Sequence, residues 1–128
     1  MHVMSRCRSC GHANREESTF CTRCGIRLAE IPAAGLIRCG VLAQEEAFEV
    51  SQRTTLVGRD KSNDIVLDDE HASSRHALIS FAGDVFWIED LNSRNGTFVN
   101  GEQIRERRIL HEGYLIKIGN AILKFVLR

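Results

Sequence analysis

The stretch from Gly58 to Gly101 constrains the fold most, because its apolar segments are short and its polar segments are turn-formers. Ile65-Val66-Leu67, Ala77-Leu78-Ile79 and Val85-Phe86-Trp87-Ile88 are brief apolar runs, and Phe98-Val99 sits between two Asn-Gly pairs. Runs of this length, separated by Gly, Asn, Asp and Ser, read as strands rather than helices. Three polar patches interrupt them: Gly58-Arg59, then Ser73-Ser74-Arg75-His76, then Asn92-Ser93-Arg94-Asn95-Gly96-Thr97, which runs on to Asn100-Gly101. Each patch falls on a connection, where a β scaffold displays the residues that bind things.

The side chains in these patches share one chemistry. Arg59 offers a guanidinium fork that suits oxyanions. Ser73 and Ser74 offer hydroxyls and loop N–H groups. Asn95 offers an amide that donates and accepts together, as gripping a peptide backbone requires. No paired carboxylate or activated nucleophile is among them. Ser73 and His76 invite a hydrolase reading, but no third group orients the histidine and no oxyanion site is evident. The set would bind a phosphate on an extended peptide without altering it.

In these residues the sequence resembles the forkhead-associated (FHA) domain, a phosphothreonine-peptide-binding module. The residues that carry the resemblance are Leu56-Val57-Gly58-Arg59, Ser73-Ser74-Arg75-His76-Ala77-Leu78-Ile79 and Asp90-Leu91-Asn92-Ser93-Arg94-Asn95-Gly96-Thr97-Phe98-Val99-Asn100-Gly101. It extends from about Leu36 to Arg128. It implies a β-sandwich of two antiparallel sheets with its binding loops at one end. It implies phosphopeptide contacts from Arg59, Ser73, Ser74, Arg94 and Asn95. Gly58, His76, Gly96 and Thr97 are expected to support the loops. It also implies a preference for phosphothreonine over phosphoserine, through a niche for the γ-methyl. The expected partner is a phosphothreonine-containing protein, either a Ser/Thr kinase or its substrate. From residue types alone, Arg59 also reads as a solvated arginine paired with Asp60 or Asp64. Arg94 reads equally as solvated, and Asn95-Gly96 as a plain hairpin turn.

The remaining strands follow from the same signals. Leu36 to Leu42 and Ala47 to Val50 read as a hairpin around 43–46. Thr54 to Val57 reads as a strand delivering Gly58-Arg59. Val85 to Asp90, Arg107 to Leu110, Tyr114 to Ile118 and Ala121 to Leu127 complete the domain, with Gly113 and Gly119-Asn120 at turns. Trp87 and Cys39 are expected in the core. Arg105, Arg107 and Arg108 read as a solvated strand face beside Glu102 and Glu106.

The first quarter of the chain follows a different plan. Cys7-Arg8-Ser9-Cys10-Gly11 and Cys21-Thr22-Arg23-Cys24-Gly25 are two Cys-x-x-Cys-Gly knuckles. Their spacing signals one structural zinc held by Cys7, Cys10, Cys21 and Cys24, with the shell closed by four thiolates. The stretch resembles the small zinc ribbons at the N-termini of many prokaryotic proteins. Disulfides are the rival reading. The opening Met1-His2-Val3-Met4-Ser5-Arg6-Cys7 has no apolar core for a signal peptide, which favours a reducing, cytoplasmic setting. His2 and His12 are expected to be exposed rather than ligands. The organisation is therefore a ribbon over 1–28, a linker over 29–35 holding the only proline, and a sandwich over 36–128.

Charge excludes little beyond this. The formal net charge is zero, so no global field draws the chain to nucleic acid or membrane. In the ribbon and the start of the linker, Arg6, Arg8, Arg15, Arg23 and Arg27 outnumber Glu16, Glu17 and Glu30. The alternative function is therefore nucleic-acid or protein binding through the ribbon, with the sandwich as a phosphorylation-independent interaction module. Phe20 is the ribbon's only aromatic residue for base stacking.

Overall fold

The computed structural model describes residues 4–7, 10–15, 18, 20–25, 31–40 and 46–128. All regular structure among them is β, in thirteen strands. β1 (Met4–Arg6) and β2 (Ala13–Arg15) form a separate antiparallel hairpin. The other strands build two sheets. The first has the order β10 (Glu102–Gln103), β9 (Thr97–Val99), β12 (Leu115–Ile118), β13 (Ala121–Leu127), β3 (Ala34–Cys39), β4 (Glu46–Glu49). The second has the order β11 (Arg108–Leu110), β8 (Val85–Asp90), β7 (Ala77–Ala82), β5 (Thr54–Gly58), β6 (Ile65–Val66).

Period-two patterning decides which side chains lie between the sheets. In β13, Ala121, Leu123 and Phe125 are buried while Ile122 and Lys124 are exposed. In β7, Ala77, Ile79 and Phe81 point inward. The resulting core joins twenty buried apolar residues. Phe86 touches Phe81 at 4.9 Å between ring centroids and Phe125 of the opposite sheet at 5.3 Å, so the aromatic rings tie the sheets together.

Several local expectations change. Trp87 is not core: Phe86 and Ile88 take the inward positions of β8, so alternation turns the indole outward. There its Nε1–H donates to Ala82 O at 3.1 Å and the Arg107 guanidinium lies 4.1 Å from the ring centroid. Cys39 is exposed, because it pairs with outward-facing Ile122 and alternation places it on the sheet's solvent face. β3 begins at Ala34, two residues before the expected sandwich boundary. Ala34 and Gly35 pair with Leu127 and Val126 and are buried, so they belong to the sheet rather than to a linker. The turn expected at 43–46 lies outside the described residues up to 45, as do 29–30 of the linker. β5 and β6 run parallel, an exception to the antiparallel expectation. So short a crossover works because β6 is only two residues long, and the chain backtracks by a residue or two of strand rise.

The register explains why three loops meet. Val57 pairs with Ala77, and Ala77 with Asp90. The ladder continues one step further: His76 N–H donates to Val57 O and Leu91 N–H to His76 O, both at 2.9 Å. The end of β5, the start of β7 and the end of β8 thus lie side by side, and their loops leave the sandwich at one end.

Candidate phosphopeptide cleft and cysteine cluster

The three loops enclose an open cleft of about 580 Å³ lined by Arg59, Glu70, His71, Ala72, Ser73, Ser74, Arg94 and Asn95. All five residues expected to contact a ligand are in that lining. The loops are joined through Ser73. Its carbonyl accepts from Arg59 N–H at 2.9 Å, and its hydroxyl oxygen accepts from Arg94 N–H at 3.0 Å. Accepting that bond leaves the Ser73 O–H proton available to donate. Asn95 Nδ2 donates to His71 O at 2.8 Å, and its Oδ1 has no hydrogen bond among the described residues.

Arg59 is exposed and makes no ion pair among the described residues, so the Asp60 and Asp64 pairing is not what the fold uses. Asp60 is occupied by the Ser62 hydroxyl, which with neighbouring N–H groups and the Arg75 charge holds its carboxyl below the usual range against partial desolvation. Asp64 Oδ2 accepts from Leu56 N–H at 2.8 Å. The Arg94 side chain is likewise exposed at the rim.

Gly58 is needed for closeness rather than for a left-handed turn. A Cβ there would lie 2.4 Å from Ser74 O, a backbone atom, and 2.9 Å from Asn63 Nδ2. His76 is fully buried beneath the loops. Its Nδ1 accepts from Ser73 N–H at 3.0 Å, so the ring proton is on Nε2, which faces Gly96 O at 2.8 Å. The imidazole therefore locks the Ser73 loop to the Asn95-Gly96 loop. Asn95-Gly96 is not a hairpin turn, since β8 and β9 belong to different sheets. The hairpin turn is Asn100-Gly101, with φ of 50° and 85°, between paired Val99 and Glu102.

Four supports were not singled out from the sequence. Asp90 accepts from Ser93 N–H at 3.0 Å, from the Ser93 hydroxyl and from Thr97 Oγ1 at 2.7 Å, while Ser93 Oγ accepts from Gly96 N–H at 2.9 Å. Burial raises the Asp90 carboxyl pKa, but the Ser93 and Thr97 hydroxyls, with the Ser93 N–H, outweigh it and hold the group below the ordinary range. Buried Thr97 is thus part of the loop's anchor. The Asp-x-x-Ser spacing of an Asx-type turn was legible in the sequence. Asn63 Nδ2 bridges Asp60 O at 2.7 Å and Ser74 O at 2.6 Å. Asp69 accepts from His71 N–H at 2.9 Å and from Asn120 N–H at 3.0 Å, pinning the cleft loop to the β12–β13 turn. The Asn63 and Asp69 bridges span contacts that no local pattern announces.

The FHA domain family profile matches residues 55–119. The chain belongs to the FHA family. A zinc-ribbon domain profile matches residues 6–28. The oxoglutarate dehydrogenase inhibitor of Corynebacterium jeikeium is 40% identical over 79 residues, 62% of this chain and 54% of that protein. The solved structure of Mycobacterium tuberculosis EmbR with a low-affinity phosphopeptide superposes with TM-score 0.69 at 32% identity, covering 80% of this chain and 25% of EmbR. An FHA structure from work on phosphothreonine-dependent FHA interactions gives TM-score 0.68 at 25% identity, covering 75% of this chain and 97% of that one. The chain spans about half the length of the curated relatives it matches. Within the FHA domain, the profile stops short of β3, β4 and β13, which the structure shows completing the larger sheet.

At the other end of the chain, the sulfurs of Cys7, Cys10, Cys21 and Cys24 all lie within 4.8 Å of one another. Cys7 Sγ is 3.6 Å from Cys24 Sγ, and Cys10 Sγ is 3.6 Å from Cys21 Sγ. Metal–sulfur bonds of about 2.3 Å in a tetrahedron separate sulfurs by roughly 3.8 Å, so the donor set fits one metal ion and no disulfide. The two knuckles repeat one geometry. Gly11 N–H donates to Cys7 O and Gly25 N–H to Cys21 O, both at 2.9 Å, with φ of 74° and 76° at the glycines. The Cys24 N–H leads the interactions that lower the Cys21 thiol to about 5, the Asn14 side chain and Arg23 N–H adding to it against burial. Asn14 is itself buried, and its Oδ1 accepts from Thr22 N–H at 3.0 Å, tying the second knuckle to β2. His12 is half-buried rather than exposed, because its ring lies 3.1 Å from Thr22 Oγ1. His2, Arg8 and Arg27 lie outside the described residues. Arg6, Arg15, Arg23 and Phe20 are exposed. No helix among the described residues is long and apolar enough to cross a membrane.

Proposed function

We propose that this chain is a non-catalytic adaptor. Its FHA domain binds phosphothreonine in a partner, a Ser/Thr kinase or a kinase substrate. A structural zinc, one per chain, holds the ribbon on Cys7, Cys10, Cys21 and Cys24. The ribbon runs to about Leu28 and the sandwich starts at Ala34. The setting is the cytoplasm, where thiolates stay reduced.

The observation that carries the proposal is the convergence of Arg59, Ser73, Ser74, Arg94 and Asn95 from three loops onto one cleft. Arg59 and the Ser73 hydroxyl supply charge-assisted hydrogen bonds to the phosphate, and Asn95 grips the peptide main chain. The phosphopeptide bound by EmbR and the phosphothreonine dependence named for the second FHA structure support the reading. A non-catalytic role is supported by His76. Both its ring nitrogens are engaged, Nδ1 by the Ser73 backbone rather than its hydroxyl, so no general base faces Ser73.

One titration set tests the proposal. A phosphothreonine peptide, its phosphoserine copy and its unphosphorylated copy are compared at one salt concentration. Each charged contact contributes about 1.5–3 kcal/mol, so Arg59→Ala lowers phosphopeptide affinity at least about tenfold with an unchanged melting temperature. Phosphoserine binds about fourfold more weakly, the worth of one buried methyl, and the unphosphorylated peptide barely binds. Equal affinity of folded Arg59→Ala and the parent protein overturns the assignment.

A further inference from the structure

The cleft is not uniformly basic. Arg59 and Arg94 flank Ser73, but the same lining carries Glu70 and His71. Glu70 is set there by a tight turn: Ala72 N–H donates to Asp69 O at 3.0 Å, which places Glu70 and His71 at the tip. The turn is braced on both sides. The Asp69 carboxylate holds His71 N–H, and Asn95 Nδ2 holds His71 O. Glu70 is thus displayed beside the residue proposed to grip the peptide backbone. Its one ion-pair partner among the described residues is His71, Nε2 to Oε1 at 3.5 Å, an imidazole charged only when protonated. The two side chains are 85% and 52% exposed, so both are open to a ligand.

Resting on the phosphopeptide reading above, we infer that Glu70 is a specificity-determining residue: the cleft selects phosphothreonine peptides that carry a lysine or arginine within about three residues of the phosphothreonine. The spacing follows from chain geometry. Ser73 and Glu70 are three residues apart in a compact turn, and three extended peptide residues reach about 10 Å at most. A peptide whose phosphate sits on Arg59 and Ser73 therefore brings a neighbouring side chain past Glu70. A permanent cation there replaces the weak imidazole partner of Glu70. An acidic side chain instead meets a like charge.

The test uses the whole chain and four peptides in one frame. Three are phosphothreonine peptides with lysine, glutamine or glutamate at the positions within three residues of the phosphothreonine, and the fourth is the unphosphorylated lysine peptide. Binding is measured by titration for the parent protein, Glu70→Gln and Glu70→Lys, with melting temperatures as the folding control. The parent protein ranks lysine over glutamine over glutamate, with steps of about two- to fivefold, the range of an exposed ion pair. Glu70→Gln flattens the ranking and Glu70→Lys inverts it. Phosphate-dependent binding with one ranking in all three proteins overturns this inference and leaves the phosphopeptide reading standing. Absence of phosphate-dependent binding to any peptide in the parent protein overturns both.

Discussion

The two halves of this molecule solve the same problem by different means. The ribbon has two strands of three residues each, and its only buried apolar cluster among the described residues is made of cysteines. The sandwich has eleven strands and twenty buried apolar residues. A segment as small as the ribbon cannot bury enough surface to offset the entropy of ordering its chain. Its geometry instead converges four sulfurs, so with the proposed zinc bound its stability would be metal-binding free energy. In the sandwich, the core secures the strands and leaves the loops to buried and half-buried polar groups. His76, Asp90, Asn63 and Asp69 hold those loops through hydrogen bonds. The difference teaches that metal removal and core truncation should act on separate halves.

The largest expected effect is therefore chelation. Structural zinc contributes about 10–16 kcal/mol to small domains of this kind. Purified reduced protein should contain one zinc per chain by elemental analysis. A chelator should erase the amide NMR signals of 4–25 and leave those of the sandwich. Loss of sandwich signals in step with zinc would break the comparison.

Phe125→Ala should do the converse. It empties the ring's place between the sheets, against Phe86, at a cost of about 3–5 kcal/mol. The sandwich transition should fall steeply in thermal unfolding while zinc content per chain is unchanged.

His76→Ala sharpens the contrast within the sandwich. It leaves Ser73 N–H and Gly96 O without their buried partner and opens a cavity, for about 2–4 kcal/mol. Melting temperature and phosphopeptide affinity should drop together, whereas Arg59→Ala should move affinity alone. A stable His76→Ala protein that binds normally would show that the imidazole does not organise the cleft.

The smallest effect concerns acid. The Asp90 carboxyl is held below its ordinary value in the folded protein. Its contribution is fully present above the unfolded value of about 3.9 and is lost as pH falls through the lower folded value. Melting temperatures between pH 7 and pH 2.5 should thus decline below about pH 4, and Asp90→Asn should decline less over that window. Parallel curves for the two proteins would remove Asp90 from the account of loop stability.

What the sequence determined by itself was local. Turn residues at fixed offsets marked the strands, two cysteine knuckles marked the ribbon, and Gly-Arg, Ser-x-x-His and Asn-Gly-Thr marked the loops. Local sequence can carry these because turn chemistry and ligand type act over a few residues. Other features were decided only by tertiary structure. Trp87 faces outward because its two neighbours in β8 claimed the core, a matter of register. Gly58 is required because Ser74 O, sixteen residues away in the chain, passes where a Cβ would stand. Asp69 matters because Asn120 folds back onto it. β10, a two-residue strand, exists only as the partner of β9. Such contacts join residues distant in sequence, and their free energy is realised only when the sheets have closed.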